Sequence, residues 1–368
     1  MEQVRIGLVG FGVIGLMHSR YLTNGEVSGA VLSCICDINP DRLKLAKEMY
    51  PEVKLFDDYN AMIKSGEVDA VFVATPHYDH PKIAIDALKN GLHTLIEKPA
   101  GVYTKQVLGM NEVAEKSGKV FGIMYNQRTN PVYQKLRDLV KSGELGEIKR
   151  TNWIIDWYRP QSYYDSGGWR ATWAGEGGGV LLNQDPHQLD LWQWTCGMPK
   201  RVRAFCYFGK YHNIEVEDDV TAFVEYENGA TGVFVTSTAM TPETNRFEVM
   251  GDKGKVVIED GKLTFYRLRV PERQFNREYD GGQIAAPECW KCEIPVAPGA
   301  GGQHKEITQN FVYAILKGEK LLAPGVEGIN GLQISNAMHL SSWLDDWVEI
   351  PVDPDLYYEK LMEKIKFS

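Results

Sequence analysis

The sequence lacks any apolar stretch approaching the roughly 20 residues that a membrane-spanning helix needs, so we expect no transmembrane segment. It also lacks an excess of positive charge. The formal net charge of -9 argues against nucleic acid or an anionic membrane as a partner. A strand-like run begins almost at the first residue and leaves no visible signal peptide, so we expect a cytoplasmic protein.

Cysteine is scarce, with six residues scattered through a chain of 368. One Cys-x-x-Cys pair, Cys289 and Cys292, has neither a second pair nor a histidine at the spacing of zinc ligands. A metal or redox role for this pair stays open, but free thiols in a reducing compartment are favoured. We therefore predict no metal site.

No internal repeat divides the chain, and its length exceeds what one hydrophobic core usually supports, so we expect two domains. Up to residue 124, short apolar runs alternate with helical patterns, which indicates βαβ units and a parallel sheet. From Ile148 onward, strand-like runs joined by turn residues dominate and predict an antiparallel sheet. Residues 267–302, rich in proline, glycine and charge, are predicted to be irregular.

The predicted fold is thus α/β. Residues 1–125 form a Rossmann domain with a doubly wound parallel sheet, and residues 126–368 form an α+β domain with a large, mostly antiparallel open sheet.

The first strand, Val4–Val9, leads directly into the G-x-G-x-x-G pattern of Gly10, Gly12 and Gly15, and a helical pattern follows. This order is the context that a dinucleotide-binding fingerprint requires. Gly10 permits a tight turn, Gly12 lets the backbone approach a pyrophosphate, and Gly15 lets the helix pack closely on the strand. The helix N-terminus then offers N–H groups to the phosphates.

Asp37 follows the second predicted strand, 22 residues after Gly15. A carboxylate at this place accepts hydrogen bonds from the adenosine ribose hydroxyls. Its charge would also repel a 2′-phosphate, and the next two residues, Ile38 and Asn39, supply no cation to offset it. We therefore predict NAD rather than NADP as the cofactor, although Arg42 on the following helix could oppose that preference.

Polar side chains follow the fourth, fifth and sixth predicted strands, in segments 75–80, 97–99 and 125–128. Ligands of open parallel sheets bind beyond the carboxyl ends of the strands, so these segments are candidates for the site. Lys98 lies in the middle one and could relay a proton. A surface ion pair is the structural alternative for this lysine.

A second candidate stretch, residues 177–191, contains three successive glycines and then His187 amid Asn183, Asp185 and Asp190. Asp185-Pro186-x-Gln188 is typical of a helix start, with an N-cap, a proline at the first helical position and a capping-box glutamine. We weigh that interpretation of Asp185 evenly against contact with the substrate. On the helical pattern of apolar residues alone, His187 would be interpreted as a histidine with a structural role.

Together these residues resemble the Gfo/Idh/MocA family (glucose-fructose oxidoreductase, inositol dehydrogenase and rhizopine catabolism proteins) over essentially the whole chain. The segments that carry the resemblance are Gly10–Gly15, Ala74–Pro76 with His80, Glu97–Pro99, the glycine-rich lead into Asn183–His187, and Asn336–Ser342. The resemblance implies a Rossmann domain and an α/β domain whose open sheet mediates oligomers. It also implies an NAD(P)-dependent dehydrogenase or reductase of sugars, cyclitols or sugar nucleotides.

The resemblance gives Lys98 contact with nicotinamide and substrate, and it gives His187 the role of general acid/base. Many members carry an aspartate where this chain has Asn183, and the Asn-Gln-x-x-His form resembles a sub-branch acting on nucleotide sugars and glycosides. Because asparagine cannot ionise, either Lys98 takes more of the proton transfer or Asp185 supports His187.

The candidate site residues follow from the fingerprint, the strand ends and the resemblance. The predicted catalytic residues are Lys98 and His187. The predicted cofactor ligands are Gly10, Phe11, Gly12, Val13, Ile14, Gly15, Asp37, Thr75, Pro76, His80, Glu97, Lys98, Asn126, Trp169 and Arg170. The predicted substrate ligands are Arg128, Tyr158, Tyr163, Asn183, Asp185, His187 and His304.

Aromatic residues are concentrated in the loop 158–173, with Tyr158, Tyr163, Tyr164, Trp169 and Trp173. Exposed flat rings there would suit the apolar faces of a pyranose. The alternative is that these rings pack the domain and contact no ligand.

The sequence therefore predicts an NAD-dependent dehydrogenase that oxidises a secondary hydroxyl of a sugar, glycoside or cyclitol. A glycoside-cleaving enzyme with internally recycled NAD and a non-catalytic NAD(H)-sensing protein are the alternatives. The partners expected are a small carbohydrate and further copies of the chain, as a homodimer, homotetramer or higher homo-oligomer.

Overall fold

The computed structural model describes residues 2–367, so the outermost residues of the two predicted domains, 1 and 368, lie outside the described part. The chain forms two compact units. The first comprises the chain up to Thr129 together with Gly175–Gly177 and Gly302–Leu332, and the second comprises the remainder. The sequence-based division after residue 125 placed residues 302–332 in the second domain, whereas in the structure they belong to the first unit.

The elements follow each other closely along the chain. Up to residue 129 they are β1 Val4–Val9, α1 Val13–Thr23, β2 Ala30–Cys36, α2 Pro40–Met49, β3 Lys54–Phe56, α3 Tyr59–Lys64, β4 Ala70–Val73, α4 Asp79–Lys89, β5 His93–Ile96, α5 Thr104–Ser117 and β6 Phe121–Ile123. Beyond it they are α6 Pro131–Lys141, β7 Ile148–Asp156, α7 Gln161–Tyr164, α8 Val180–Asn183, α9 Pro186–Cys196, β8 Arg201–Phe208, β9 Glu217–Glu225, β10 Thr231–Ser237, β11 Asn245–Gly251, β12 Gly254–Glu259, β13 Lys262–Leu268, α10 Glu272–Glu278, β14 Cys289–Glu293, α11 Gln303–Lys317, α12 Gly328–Leu344, β15 Val348–Glu349 and α13 Pro354–Phe367.

The sheet of the first unit has six parallel strands in the order β3-β2-β1-β4-β5-β6. Strand β1 is central, and Val4, Ile6 and Leu8 are fully buried. The chain winds outward in both directions from β1 and β4, so the carboxyl ends of these strands form the switch point where doubly wound sheets bind ligands. The predicted Rossmann architecture is confirmed.

The sheet of the second unit has nine strands in the order β14-β13-β12-β11-β7-β10-β9-β8-β15. All neighbours are antiparallel except β7 and β10. The predicted large, mostly antiparallel sheet is therefore confirmed, with one parallel pair. Strand β7 is followed by a long stretch with α7, α8 and α9 and not by a tight hairpin. A connection of this length lets the later strand β10 lie alongside β7 in the same direction.

One face of the nine-stranded sheet carries an aromatic core. The Trp153 ring stacks on Phe247 with centroids 4.1 Å apart, and Trp192 of α9 stacks on Phe234 at 5.4 Å. Helix α9 therefore lies against β10 and β7 on this face. Its first turn, which bears His187, is held by the same packing.

Residues 267–302 are more regular than predicted, because they contain α10 and β14. Strand β14 adds to the edge of the sheet through β13, and Cys289 and Cys292 lie on it as free thiols. Within residues 2–367, no group of histidine, cysteine or acidic side chains is arranged to hold a metal ion. A search of the same residues finds no helix with the length and apolar character to cross a bilayer.

Candidate active site

The glycine loop after β1 has the close contacts expected of a dinucleotide fingerprint. Gly10 has a φ of +94°, and a Cβ there would lie 2.5 Å from the carbonyl oxygen of Ala74. A Cβ on Gly15 would lie 2.0 Å from the carbonyl oxygen of Gly10. Around Gly12, in contrast, nothing lies within 4 Å of the Cβ position. The loop is thus packed at its ends and open in its middle, where a pyrophosphate would approach.

The surroundings of this loop also fit a dinucleotide. Helix α1 begins at Val13 with neither a capping side chain nor an acidic residue in its first turn, which includes Ile14, so no carboxylate competes there with a phosphate. The Asp37 carboxylate accepts the Phe11 N–H at 2.7 Å and the Asn39 N–H at 2.8 Å. Ile38 is 90% exposed beside it, an apolar surface of the kind that an adenine ring covers.

His80 joins two of the strand ends rather than offering a ring nitrogen to a ligand. Its Nδ1 lies 2.8 Å from the Pro99 carbonyl oxygen, and its Nε2 lies 2.8 Å from that of Thr75. Burial lowers the pKa of this imidazole. The described contacts therefore make His80 a link between the ends of β4 and β5. The hydroxyl of Thr75, just before Pro76, is buried without a protein partner and is available to a ligand.

Beyond β6, Asn126 and Arg128 make contacts within the first unit. The Asn126 amide donates to Gln303 Oε1 at 2.5 Å, and its own carbonyl oxygen is buried without a protein partner. Arg128 is buried and donates to Glu327 at 2.6 Å and to the Leu322 carbonyl oxygen at 3.1 Å. The contact of Asn126 with the cofactor and that of Arg128 with the substrate stay predictions.

Glu97 and Lys98 directly follow β5, and the Glu97 carboxylate contacts the His18 imidazole on α1. Burial raises the pKa of Glu97, but the hydrogen bond and charge of His18, with further help from His304 and Lys98, lower it to about 2. His304 of α11 lies with its ring 6.0 Å from that of His18, and burial lowers its pKa. The predicted cofactor ligand Glu97 and the predicted substrate ligand His304, which is partly exposed, thus both lie next to His18, a residue that sequence reasoning missed.

In the second unit, the glycine-rich segment before His187 is anchored by Glu217 at the start of β9. Its buried carboxylate accepts the Gly179 N–H at 2.9 Å and the Leu181 N–H at 3.0 Å. A Cβ on Gly179 would lie 2.0 Å from the Glu217 carbonyl oxygen, so only glycine fits there. The carboxylate therefore fixes the first turn of α8, which ends at Asn183. No local pattern marks Glu217 in the sequence.

The Tyr163 hydroxyl is the centre of a polar cluster that includes Asn183. It accepts N–H groups from Arg170 at 2.9 Å, Asn183 at 3.0 Å and Gln184 at 3.3 Å. The Arg170 guanidinium lies 4.6 Å from the ring centroids of both Tyr163 and Trp169. These side chains bring together the predicted substrate ligands Tyr163 and Asn183. The described contacts of Trp169 and Arg170, predicted cofactor ligands, lie in this cluster.

Asp185 lies at the N-cap position of α9 and Pro186 opens the helix, as predicted, but the Asp185 side chain makes no capping bond. It is fully buried and accepts the Trp157 indole N–H at 2.6 Å. Burial raises its pKa to about 7. The side chain does not cap the helix because its carboxyl bonds to Trp157, the residue after β7, and its contact with the substrate stays a prediction. His187, two residues on, is partly exposed.

The aromatic loop is less exposed than predicted. Tyr164 is buried with its hydroxyl donating to Thr238 at 2.7 Å. Trp173 is buried against His339 and Trp343, with ring centroids about 5.5 Å away. Of the five aromatic residues of this loop, Tyr158, Tyr163 and Trp169 keep exposed surface. Tyr164 packs against His212, and Trp173 packs against α12, which no local pattern in 158–173 indicates.

A glycine fingerprint at the switch point of a parallel sheet and a histidine-bearing helix on a second, mixed sheet define an NAD-dependent oxidoreductase with two units. Residues 4–125 match the oxidoreductase family with an NAD-binding Rossmann fold, and residues 133–257 match the GFO/IDH/MocA C-terminal domain. The chain therefore belongs to the GFO/IDH/MocA family, as its motifs predicted. Its cofactor is NAD.

The chain is similar to several dehydrogenases over different shares of its length. The solved WlbA dehydrogenase from Chromobacterium violaceum, in complex with NADH and UDP-GlcNAcA, is 28% identical with a TM-score of 0.82, over 96% of this chain and 97% of that one. D-Glucoside 3-dehydrogenase from Escherichia coli is 29% identical over 259 residues, which are 64% of this chain and 71% of that protein. The 1-carboxy-3-chloro-3,4-dihydroxycyclohexa-1,5-diene dehydrogenase from Comamonas testosteroni is 28% identical over 254 residues, 67% of this chain but 61% of that protein.

Proposed function

We propose that the protein oxidises a secondary hydroxyl of a sugar, glycoside or cyclitol to a ketone, with NAD as hydride acceptor and with Lys98 and His187 handling the proton. The observation that carries the proposal is the cluster at Asn183. There a phenol, two amides and a guanidinium converge, four residues before His187. Such neutral and cationic donors suit a polyhydroxylated ring, whose hydroxyls both donate and accept.

The first unit supplies the binding of the cofactor. When bound, NAD supplies the electrophilic nicotinamide carbon that accepts hydride. The open backbone at Gly12 and the N-terminus of α1 hold the pyrophosphate, and Asp37 accepts the ribose hydroxyls. Thr75 and Asn126 each keep a buried oxygen without a protein partner at the strand ends. These oxygens are the groups that orient the nicotinamide end.

The second unit supplies His187 as the proton acceptor. Its imidazole lies in the first turn of α9, which the aromatic packing of Trp192 on Phe234 fixes. Asn183 cannot take a proton, and the Asp185 carboxyl is bonded to Trp157. Of the two arrangements that the sequence left open, we propose the one in which Lys98 shares the proton transfer with His187.

Relatives guide the choice of substrates to test. One similar protein is named a glucoside dehydrogenase, and another was solved with a nucleotide sugar. The experiment measures the NADH absorbance band while NAD and one compound of a panel are supplied: an aryl glucoside, a UDP-sugar, glucose, myo-inositol or lactate. We expect a carbohydrate or cyclitol to be the best substrate. Lactate as the best substrate, or no reduction of NAD with any of them, would contradict the proposal.

A further inference from the structure

A buried ion pair lies directly behind Lys98. His18 of α1 and Glu97 at the end of β5 have side chains that are 2% and 7% exposed, and His18 Nε2 lies 2.7 Å from Glu97 Oε1. The other carboxylate oxygen, Oε2, accepts the backbone N–H of Lys98 at 3.2 Å. The orientation of the Glu97 carboxylate is therefore linked to the backbone from which the Lys98 side chain extends.

The pair continues into a chain of hydrogen bonds across three elements. His18 Nδ1 contacts the Tyr21 hydroxyl, which lies 2.9 Å from Thr308 Oγ1 on α11. A hydroxyl can accept one hydrogen bond and donate another, so the Tyr21 hydroxyl links His18 to Thr308. The low pKa of Glu97, about 2, keeps the carboxylate ionised at neutral pH, held so by His18 against the opposing effect of burial.

The same segment is also held from its other side. His80 of α4 contacts the carbonyl oxygen of Pro99, the residue after Lys98. Two buried histidines from two helices thus hold the residues before and after Lys98. A buried ion pair contributes little stability compared with apolar side chains of the same shape. Stability is therefore a weak explanation for the His18–Glu97 pair, and control of geometry is a stronger one.

We infer that His18 is a positioning residue for Lys98 and acts through the carboxylate of Glu97. The inference rests on the proposed function in one respect, namely that Lys98 takes part in proton transfer. Helix α1 would then serve two purposes, since its first turn adjoins the dinucleotide loop and its second turn fixes the lysine at the end of β5. Misplacement of such a group by a fraction of an ångström to 1 Å lowers turnover by roughly tenfold to a hundredfold.

Two substitutions of His18 separate positioning from simple packing. The His18→Gln amide reaches the place of Nε2 and can still donate to Glu97. The His18→Asn amide reaches only the place of Nδ1, near Tyr21. We expect kcat of His18→Gln within about threefold of the parent and kcat of His18→Asn at least about tenfold lower. KM and NADH affinity should change less than about twofold in both. Glu97→Gln, which removes the charge, should resemble His18→Asn.

A matched control lies at the opposite end of the same strand. His93 Nδ1 accepts the Val120 N–H at 2.9 Å, so His93→Ala removes a comparable side chain–backbone bond far from Lys98. This variant should lose stability and keep kcat. If His18→Asn fails to fold, as judged by circular dichroism, the comparison of Glu97→Gln with His93→Ala decides. Equal kcat in those two variants overturns the inference.

Hydrogen–deuterium exchange at the Lys98 amide tests the positioning without any substrate. We expect exchange at least about threefold faster in His18→Asn than in His18→Gln or the parent, because the Glu97 acceptor is no longer fixed. Equal exchange in all three overturns the inference, as does altered exchange with unchanged kcat. If no substrate is turned over by the parent, the proposed function fails while the exchange rates still decide this inference.

Discussion

Two aspartates illustrate how differently one residue type acts in this protein. Asp37 keeps its carboxylate at the edge of the dinucleotide loop, where it accepts two backbone N–H groups. Asp185 is fully buried and accepts an indole N–H, and burial raises its pKa to about 7. Both are predicted site residues in the sequence, but their carboxylates lie in very different surroundings. Each leads to a separate prediction.

Asp37 should set the preference for NAD. Its charge lies where the 2′-phosphate of NADP would have to be accommodated. We expect Asp37→Ala to raise the ratio of kcat/KM for NADP to that for NAD by at least about tenfold, an effect of roughly 1.4 kcal/mol. Asp37→Asn is the control for the lost Phe11 contact, since its amide oxygen can still accept that N–H. An unchanged ratio in both variants would count against the assignment.

Lys98 and His187 should be needed for turnover and dispensable for binding NAD. Loss of a general acid or base lowers rates by about 10² to 10⁴. We expect each alanine variant to fall in that range while NADH affinity, measured by nicotinamide fluorescence, stays within about threefold of the parent. A His187→Ala enzyme within about tenfold of the parent would make that residue structural.

Asp185 should make stability depend on pH. Its pKa of about 7 exceeds the ordinary value of 3.8, so between these values the unfolded chain releases a proton that the folded chain retains. Stability therefore falls as pH rises from 3.8 to about 7, and above that the penalty is constant. Asp185→Asn keeps an acceptor for Trp157 without the charge.

We expect the Asp185→Asn variant to gain stability over the parent by at least about 1 kcal/mol more at pH 8 than at pH 5. Urea unfolding at the two values measures the difference. A difference between variant and parent that is the same at both pH values would show that Asp185 does not titrate in this range.

At the residue scale, residues next to a recognisable motif could be predicted from the sequence. Residues that contact the site from distant parts of the chain could not. Lys98, Asp37 and Asn183 are recognisable because they follow strands or glycine runs. His18 was visible only as part of a helical face. Glu217 holds the turn before Asn183 through a bond to Gly179, 38 positions earlier in the chain, for which a single sequence gives no local signal.

At the scale of elements, the dinucleotide loop gives a matched pair of glycines. A Cβ on Gly12 meets nothing within 4 Å, whereas one on Gly15 lies 2.0 Å from the Gly10 carbonyl oxygen. We expect Gly12→Ala to fold with a melting temperature within about 2 °C of the parent and to bind NADH at least tenfold more weakly, since its methyl group occupies the approach of the pyrophosphate.

Gly15→Ala should act on the fold instead. Helix α1 would have to move away from β1, and overpacking of this kind costs about 1–3 kcal/mol. We expect a melting temperature lower by several degrees, measured by calorimetry without cofactor. If Gly12→Ala were the more destabilised of the two, the account of the loop would be wrong.

The apolar run at the start of the chain allowed the bounds of one strand to be predicted, since the expected strand Val4–Val9 coincides with the observed β1. Helix α10 and strand β14 were missed because α10 has no buried residue and β14 is largely exposed, so neither carries the apolar periodicity on which prediction depends. The parallel pairing of β7 with β10 depends on the course of the intervening helices and could not be read from either strand.

At the scale of the whole molecule, the division into units is less sequential than predicted. Residues 302–332 belong to the first unit, where Phe311 of α11 packs against Phe72 of β4 with ring centroids 5.7 Å apart. Their apolar pattern predicts a helix but does not indicate which sheet it covers. The two units and the family were thus accessible from sequence, while the return of the chain was not.

The outward face of the nine-stranded sheet predicts a homo-oligomer. Phe205 and Tyr207 of β8 are 50% and 49% exposed on it, an apolar surface suited to a second copy. We expect light scattering at micromolar concentration to give a dimer or larger, and Phe205→Glu to lower the mass. Ile284→Glu, at a loop residue that is 98% exposed, is the control and should leave the mass unchanged. A monomeric parent would contradict the prediction.

The most direct test of the central claim follows the hydride itself. The protein is incubated with NAD and an aryl glucoside carrying deuterium at its ring carbons, and the NADH formed is analysed by mass spectrometry. We predict NADH that contains one deuterium, a ketone product from the glucoside, and neither product with Lys98→Ala or His187→Ala. Unlabelled NADH, or no NADH with the glucoside and with every other carbohydrate or cyclitol of the panel, would contradict the account.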